Sequence, residues 1–426
     1  MNNKNMLFLI LVCSVAAFGK SYTIDGIIRT SVDDRRVSLQ DEKHKFIKRT
    51  FPGIPLIDKI ELKAQEKSFD LNNVEYSLKL QLRGIGETFS SARYRKAMIQ
   101  KSEHKSQLVI GSTLSDRYQA IIDLLEQESK HKLYQELMDV YADKIKVMEK
   151  LSTVDPKFEI TELIKVENDN LKALASDMEC RKFADLASSK LKTLLNDHDF
   201  TEIDTSGIIP VDSLLLLVEN KLENNTFKLD SDNVHIRKYK IDLDIEEERY
   251  KLEKAEARKY LSHIGFAYDN GEHLDQIQRR NDEKDYNLND AFSLEVGITL
   301  PILTTRSHDV VKRKSDIIKA KDEYETFKEE LLYLFTEDIN DLKYYIIQYR
   351  ILKARELEVD AEASLKKYLE FKGADPLVLL SIKENIIKNQ LNRTDVIYGL
   401  YRNYIQVLDM TGELIKWPTK NFLLQQ

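Results

Sequence analysis

The sequence predicts a mainly α-helical protein in which a few short strands carry the pattern of membrane strands. Three observations lead to this prediction. The 426 residues include only 13 glycines and 7 prolines, and 32% of them are charged, which is typical of long solvated helices. Residues 302–372 contain neither glycine nor proline, so a helix of about 70 residues and about 105 Å is predicted there. Apolar and polar residues alternate in AFSLEVGITLPIL, residues 291–303, which predicts a strand.

The N-terminus has the pattern of a secretory signal peptide over residues 1–19. Lys4 supplies a positive charge, residues 6–17 form an apolar segment, and Ala17-Phe18-Gly19 is a small-x-small cleavage site. Cys13 would be removed with this segment, so no disulfide can form within the mature chain. The formal charge of −7 gives no reason to expect nucleic acid as a partner. No later apolar run approaches 18 residues, so no membrane-spanning helix is predicted.

The first half of the mature chain is predicted to form a helical segment, a hairpin of strands and two long helices. The helical segment covers residues 22–50 and ends at Phe51-Pro52-Gly53. Strands are predicted at about 56–66 and 74–84, joined by the short polar turn SFDLNN. A helix follows from about 88 to 151 with Gly111 as its only breaker, Asp155-Pro156 ends it, and a return helix covers 157–195.

The second half repeats this plan after a break at residues 196–210. A helical segment at about 229–261 leads to a strand at 262–269, a long charged loop and the strand at 291–303. The long helix then runs to Gly373, Asp375-Pro376 breaks it, and a last helix ends at Thr411-Gly412. The two Asp-Pro pairs are 220 positions apart, which indicates an internal duplication.

The predicted organisation is therefore a signal peptide, two repeats and a short tail. The first repeat covers residues 20–205, with a helical hairpin at about 88–195. The second repeat covers 206–415, with a helical hairpin at about 304–414. Residues 416–426 form the tail.

The alternating strands allow two interpretations. They are either half-buried strands of a soluble sheet or membrane strands that turn an apolar face to lipid. Four strands cannot close a barrel, and an open sheet edge cannot lie in lipid, so the membrane interpretation requires several chains. Three chains would supply twelve strands. The duplication and the matched helix lengths favour this interpretation, and it predicts the following lipid-facing residues: Val74, Tyr76, Leu78, Leu80, Leu82, Phe292, Leu294, Val296, Ile298 and Leu300.

With these parts in place, the sequence resembles the TolC-type outer-membrane efflux proteins, the outer membrane factor family. The segment SLEVGITLPILTTR resembles the family's strand that ends in a proline before a long helix. The segment YLEFKGADPLVLLSIKENIIKNQ resembles its hairpin end, including Tyr368, Gly373 and the Leu379-Leu380 pair. The segment YRNYIQVLDMTGEL resembles its closing helix, including Thr411-Gly412. The resemblance covers about residues 22–414.

The resemblance implies a TolC-like fold and an export function. Each chain of a homotrimer would add four strands to a 12-stranded β-barrel in the outer membrane of a Gram-negative cell, above a long α-helical coiled-coil tunnel in the periplasm. Such a channel docks a periplasmic adaptor (membrane fusion) protein and an inner-membrane transporter, and is the passive duct of a tripartite efflux pump or a type I secretion system. The alternative is a periplasmic or secreted coiled-coil scaffold with small soluble β-hairpins.

The ends of the two helical hairpins are the predicted docking surface for the adaptor. The alternative is that these turns only reverse the chain. The predicted docking residues are Asp155, Pro156, Gly373, Asp375, Pro376, Leu379 and Leu380. Well-known members of the family narrow their entrance with carboxylates near this point, but the matching positions here lie near the apolar Leu379 and Ile382. Asp375 and Glu384 are the nearby acidic candidates for lining the entrance.

Catalysis finds little support in the sequence. The eight histidines are scattered, without His or Cys at metal-ligand spacing, so no catalytic residue, metal site or cofactor is predicted. Gly84-Ile85-Gly86 fits a strand-to-helix turn better than a phosphate loop. Tyr398, Tyr401 and Tyr404 keep helical spacing, which predicts packing rather than a ligand site.

Overall fold

The structure, a computed structural model, describes residues 20–49, 57–66, 74–154, 156, 158–230, 232–258, 261–269, 292–298, 306–358 and 375–424. The predicted signal peptide at 1–19 lies outside these residues. The chain divides into two compact units, and each draws on both predicted repeats. Unit 1 comprises Met1–Arg35, Ile110–Leu229 and Leu334–Gln426, and unit 2 comprises Arg36–Val109 and Asp230–Tyr333.

Long helices make up most of the described chain. In chain order the elements are β1 (Lys20–Thr23), α1 (Ile24–Arg29), α2 (Arg35–Arg49), β2 (Ile57–Glu66), β3 (Val74–Leu82), α3 (Ile85–Val154), α4 (Ile160–Leu195), β4 (Phe200–Asp204), α5 (Val211–Glu223), α6 (Val234–Ala257), β5 (Leu261–Asp269), β6 (Phe292–Ile298), α7 (Arg306–Glu358), α8 (Pro376–Met410) and α9 (Glu413–Lys416). The four strands predicted from alternation are β2, β3, β5 and β6. The end of the predicted strand at 299–303 and the end of the predicted long helix at 359–372 lie outside the residues that the structure describes.

Unit 2 holds a four-stranded antiparallel sheet in the order β2-β3-β5-β6. Its helices pack through small apolar contacts and polar cross-links. Ala97 of α3 packs against Ile241 and Ile245 of α6, and the rings of Tyr239 and Phe327 stack with centroids 4.2 Å apart. These contacts join α3, α6 and α7 within the unit.

Unit 1 contains the main hydrophobic core. Residues from α1, α3, α5, α7 and α8 meet there with the C-terminal tail. Tyr118 ties the tail to α3, because its hydroxyl donates to the carbonyl of Lys420 and accepts from the amide of Phe422. Tyr401 and Tyr404 are buried in the same core, in agreement with the predicted packing role.

A buried arginine joins the N-terminal segment to two helices of unit 1. The Arg117 side chain is fully buried on α3 and forms an ion pair with Asp34, with 3.0 Å between Nη1 and Oδ2. It also donates to the carbonyls of Thr30 and Leu194. These bonds satisfy the guanidinium, as a buried charge requires.

The helix α3 continues through Gly111, which the sequence suggested as a breaker. A Cβ at this position would lie 2.6 Å from Cγ1 and Cδ1 of Ile415. Position 111 therefore requires glycine because α9 approaches α3 closely there. Sequence periodicity does not show this contact.

The N-terminal segment differs from the prediction of one helical stretch at 22–50. The strand β1 comes first and pairs in parallel with β4, which lies in the predicted break at 196–210. Asp197 fastens this pair, because its carboxylate accepts from the ammonium of Lys20 at 3.0 Å and from the hydroxyl of Tyr22 at 2.5 Å. The hydrogen bond from Tyr22, and then the one from Lys20, hold the pKa of Asp197 low, at about 2. Strands of four and five residues are too short for alternation to reveal.

Among the described residues, no helix combines the length and the apolar character that crossing a membrane requires.

Candidate functional site

The sheet of unit 2 separates apolar from polar side chains across all four strands. Three cross-strand rows carry the apolar residues in the register of the sheet. From β2 to β6 these rows are Ile60-Leu80-Ile264-Val296, Leu62-Leu78-Phe266-Leu294 and Ala64-Tyr76-Tyr268-Phe292. Because side chains at alternate positions share a face, all twelve lie on one face of the sheet.

This apolar face is open to the surroundings of the chain. Leu62 is 79% exposed and Leu294 is 64% exposed, and Tyr76, Phe266 and Val296 are also exposed. No hydrophobic cluster in the described chain includes a residue of the sheet. Soluble monomers rarely leave so continuous an apolar surface uncovered, so the face requires a partner or a lipid environment.

The predicted lipid-facing residues of β3 and β6 fall on this face. Val74 and Leu82 belong to it by the same alternation, and Ile298 ends it on β6. Leu300 lies outside the described residues. The sequence prediction left out the residues of β5, namely Ile264, Phe266 and Tyr268. The alternation in LSHIGFAYD was the signal, but its glycine and histidine on the other face made the strand less conspicuous.

The opposite face of the sheet is polar. One row joins Lys63, Ser77, Ala267 and Ser293, and the next joins Glu61, Lys79, Gly265 and Glu295. Charges pair within this face. The Lys59 ammonium lies 2.6 Å from Glu61, and His263 Nε2 lies 2.9 Å from Glu295. Such a face is suited to water.

Both outer strands of the sheet pair on one side only. Within the described residues β2 pairs with β3 alone and β6 pairs with β5 alone. The outward backbone groups of these two strands therefore have no strand partner among the described residues. An open edge is a template for pairing with another chain.

At the second predicted hairpin end, Asp375 and Pro376 initiate α8. The Asp375 carboxylate accepts a hydrogen bond from the amide of Leu377 at 2.9 Å, and Pro376 occupies the first turn. This is a favourable helix start, because the capping oxygen satisfies an amide that lacks an intrahelical partner. The Asp375 side chain is exposed, so it also remains accessible to another protein.

The other predicted docking residues have different surroundings. Pro156 is exposed and Leu379 is half-buried, while Leu380 packs against a cluster that includes Leu137 and Tyr141 of α3. Asp155 and Gly373 lie outside the described residues. Adaptor docking by these residues stays a prediction, and the surroundings of Leu380 show that it also contributes to helix packing.

Glu384, an acidic candidate for the entrance, is held by side chains of this chain. Its carboxylate accepts from the hydroxyl of Tyr141 at 3.1 Å and forms ion pairs with Lys144 and Lys388. Burial acts to raise its pKa, but the hydrogen bonds from the two lysines outweigh burial and the pKa is lowered. The charge of Glu384 is therefore neutralised locally, whereas Asp375 is exposed.

Two helices of unit 1 expose apolar stripes. On α4 the stripe has helical spacing and comprises Ile160, Ile164, Leu171, Leu174 and Met178. On the part of α7 in unit 1, Tyr344, Ile347 and Ile351 are likewise exposed. Stripes at this spacing are typical of helices that pack against further helices. Sequence reasoning missed them, because periodicity alone does not show which apolar stripe the chain itself covers.

Across the described ranges, no group of three or more His, Cys, Asp and Glu side chains is arranged to hold a metal ion. Cys180 is buried, and burial raises the pKa of its thiol. A thiol with these properties is a poor nucleophile.

Solved structures of outer-membrane channels share this fold. The chain is similar to the outer-membrane channel OprN, with a TM-score of 0.63 and 12% sequence identity over 91% of this chain and 89% of that one. It is similar to VceC from Vibrio cholerae, with a TM-score of 0.64 and 10% identity over 91% of this chain and 96% of that one. It is also similar to the CmeC channel of Campylobacter jejuni, with a TM-score of 0.63 and 13% identity over 93% of this chain and 89% of that one.

No protein-family model and no curated protein sequence matches the chain. The structural likeness nevertheless extends over nine-tenths of it. The chain therefore has the TolC-type outer-membrane channel fold, as its resemblance implies.

Proposed function

We propose that this chain is one subunit of a homotrimeric outer-membrane channel that conducts molecules passively from the periplasm to the exterior. The observation that carries this proposal is the four-stranded sheet, with its exposed apolar rows, its polar opposite face and its two open edges. Three such sheets joined edge to edge would give a 12-stranded barrel with apolar side chains toward lipid and polar side chains toward water.

The exposed helical stripes support the association of several copies. The α4 stripe and the α7 stripe would be buried where α4 of one copy packs beside α7 of the next. Such a head-to-tail contact uses two different surfaces of one chain and generates a closed ring when the rotation between neighbouring copies closes. The similar solved structures OprN and CmeC are outer-membrane channels, which supports the same role for this chain.

We further propose that the channel works in a tripartite efflux pump or a type I secretion system. The helical hairpin ends at Asp155-Pro156 and at Gly373 to Leu380 would dock a periplasmic adaptor, and an inner-membrane transporter would supply the energy. The exposure of Pro156, Asp375 and Pro376 supports this docking. The chain itself would carry out no chemical reaction and bind no cofactor.

A pair of adjacent substitutions on β3 tests the channel proposal. Leu78 lies in an apolar row and Ser77 lies in a polar row of the same strand. Leu78→Lys places a charge toward lipid, which costs about 2–4 kcal/mol at the bilayer midplane. We expect this variant to be strongly reduced in the outer-membrane fraction, and we expect its purified form to lack conductance in planar bilayers. Ser77→Lys, the matched control, should keep both properties.

The alternative of a soluble scaffold predicts a different result. A lysine on an exposed face of a soluble sheet would be tolerated, so both variants would then stay in the periplasmic fraction in equal amounts. That outcome would contradict the proposed function.

A further inference from the structure

Helix α2 in unit 2 is basic, although the whole chain is acidic. Its sequence RRVSLQDEKHKFIKR holds six lysines and arginines against two carboxylates. Toward its end Lys45, Lys48 and Arg49 are exposed, and between them the aromatic ring of Phe46 is 65% exposed. A helix that combines exposed cations with an exposed aromatic residue is typical of membrane surfaces.

These cations are not neutralised within the described part of the chain. Lys45, Lys48, Arg49 and the exposed Lys96 of α3 form no ion pair there. Other cations of the same unit are paired, as Lys101 is with Asp242 at 2.7 Å. Lys45, Lys48, Arg49 and Lys96 form what is called here the basic surface.

Two hydrogen bonds orient α2 against α3. Gln40 donates to the carbonyl of Ser102 at 3.2 Å, and Arg95 donates to the carbonyl of Lys48 at 3.4 Å. Moving forward along α2 therefore means moving backward along α3, so the two helices are antiparallel. Because only two residues separate the end of β3 from the start of α3, the basic end of α2 points toward the sheet.

The side chains along α3 change from apolar to basic with distance from the sheet. Ile85 and Phe89 are 71% and 64% exposed, and Lys96 follows on the same helix face. At 1.5 Å per residue, Phe89 lies about 6 Å and Arg95 about 15 Å beyond the start of the helix. A bilayer has the same order, because a headgroup layer several ångströms thick borders its hydrocarbon core.

We propose that the basic surface binds the phosphate groups of anionic phospholipids in the membrane leaflet that faces the helices. The proposal rests on the proposed function, because the apolar face of the sheet must lie in the bilayer for the basic surface to reach the headgroups. Phe46, Ile85 and Phe89 would enter the interface, and the lysine and arginine stems would extend toward the phosphates.

The order of the exposed surfaces in unit 2 favours lipid over a protein as the partner of the basic surface. The apolar face of the sheet, the exposed apolar side chains of the first turns of α3 and the basic surface follow one another within unit 2. A bilayer supplies hydrocarbon, interface and phosphate in the same sequence. Each basic residue near an anionic membrane contributes about a fivefold increase in affinity, and the effect decreases with salt.

The test measures the lipid retained by the full chain in mild detergent. The purified protein is incubated with mixed micelles that contain either phosphatidylglycerol or phosphatidylcholine, and the bound lipid is quantified after gel filtration. We expect at least fivefold more phosphatidylglycerol than phosphatidylcholine on the wild type. We expect the difference to shrink in 0.5 M salt, because the Debye length falls from about 8 Å at physiological ionic strength to about 4 Å. The triple variant Lys45→Gln, Lys48→Gln and Arg49→Gln should lose the preference.

A matched variant controls for net charge. Lys150→Gln, Lys165→Gln and Lys172→Gln remove three exposed cations of unit 1, and this variant should keep the preference for phosphatidylglycerol. Equal retention of the two lipids by the wild type would overturn the proposal, as would an unchanged preference in the first triple variant. Failure of the proposed channel function would give a different result. The chain would then be soluble without detergent and would retain neither lipid, because its sheet would not lie in a membrane.

Discussion

At the scale of single residues, Asp375 has a structural role that accounts for its position without any partner. Its carboxylate caps α8 through the amide of Leu377, and Pro376 follows in the first turn. The sequence motif Asp-Pro therefore predicted the helix boundary correctly. Whether the charge also contacts an adaptor is a separate question, which substitutions can separate from capping.

For Asp375 we predict different effects of three substitutions. Asp375→Asn keeps a good cap and removes the charge, so stability should stay the same. Asp375→Ala removes the cap and should cost about 1 kcal/mol in the free energy of unfolding. Asp375→Lys removes the cap and reverses the charge. Thermal unfolding of the purified protein measures the effect of the lost cap on stability, and export from cells measures the effect of the changed charge.

Export by these variants then tests docking. If the charge contacts an adaptor, Asp375→Lys should lower export well below the level of Asp375→Ala, although both lose the cap. Equal export by the Ala and Lys variants would assign Asp375 to capping alone.

Asp338 is a buried carboxylate with only one satisfied oxygen. Its side chain on α7 is 6% exposed, and Oδ1 accepts from Gln406 of α8 at 2.9 Å. Among the residues that the structure describes, Oδ2 has no hydrogen-bond partner. Burial, and then the charge of Asp341, raise the pKa of Asp338 to about 6. The folded state therefore binds a proton more tightly than the unfolded state does.

The sign of the pH dependence follows from this shift. Between pH 4 and pH 6 the folded state holds more protons at Asp338, so its stability decreases as the pH rises through this window. We expect Asp338→Asn to remove this slope and to stabilise the protein at pH 7 by about 2–3 kcal/mol. Asp341→Asn, at an exposed position, should retain most of the slope. Thermal unfolding of both variants between pH 4 and pH 7 measures the slope and the stability. An unchanged slope in Asp338→Asn would show that Asp338 is not the group responsible for it.

At the scale of elements, the long helices and the four sheet strands could be predicted from the sequence, because their patterns are local. Alternation placed β2 and β3 within about two residues at each end. The short strands β1 and β4 could not be predicted, because they are fastened by a tertiary cross-link at Asp197. Close helix contacts were also hidden, as Gly111 shows, because a glycine in a sequence does not reveal what approaches it.

The packing of α7 against α8 depends on Gly399. A Cβ there would lie 2.7 Å from Cζ of Tyr345, closer than real contacts allow. We expect Gly399→Ala to lower the free energy of unfolding by about 1–3 kcal/mol through overpacking, measured as a lower melting temperature.

Two further variants test this contact. Gly86→Ala is the control, because its Cβ would meet Ala255 at an ordinary 3.7 Å, and alanine should be neutral or stabilising there. Tyr345→Leu, which shortens the facing side chain, should reduce the cost of Gly399→Ala. A stable Gly399→Ala protein would show that α7 and α8 are packed less closely.

At the scale of the whole molecule, the proposed channel depends on the sheet being incomplete in one chain. The sequence predicted four membrane-type strands and the need for several copies, and the structure adds the strand order that places β2 and β6 at the two edges. The number of copies could not be derived from local patterns, because it depends on contacts between chains.

Disulfide cross-linking of the sheet edges is the most direct test of this claim. Lys63, Ser77, Ala267 and Ser293 form one row across the sheet. In a Cys180→Ser background, Ser293→Cys is combined in turn with Lys59→Cys, Glu61→Cys and Lys63→Cys, which allows for any shift in register between copies. The control, Ser77→Cys with Ala267→Cys, joins neighbouring strands of the same chain. After oxidation in membranes, we predict covalent dimers and trimers, and nothing larger, for at least one edge combination. The control should stay monomeric. Monomers alone in every edge combination would contradict a barrel shared by several chains.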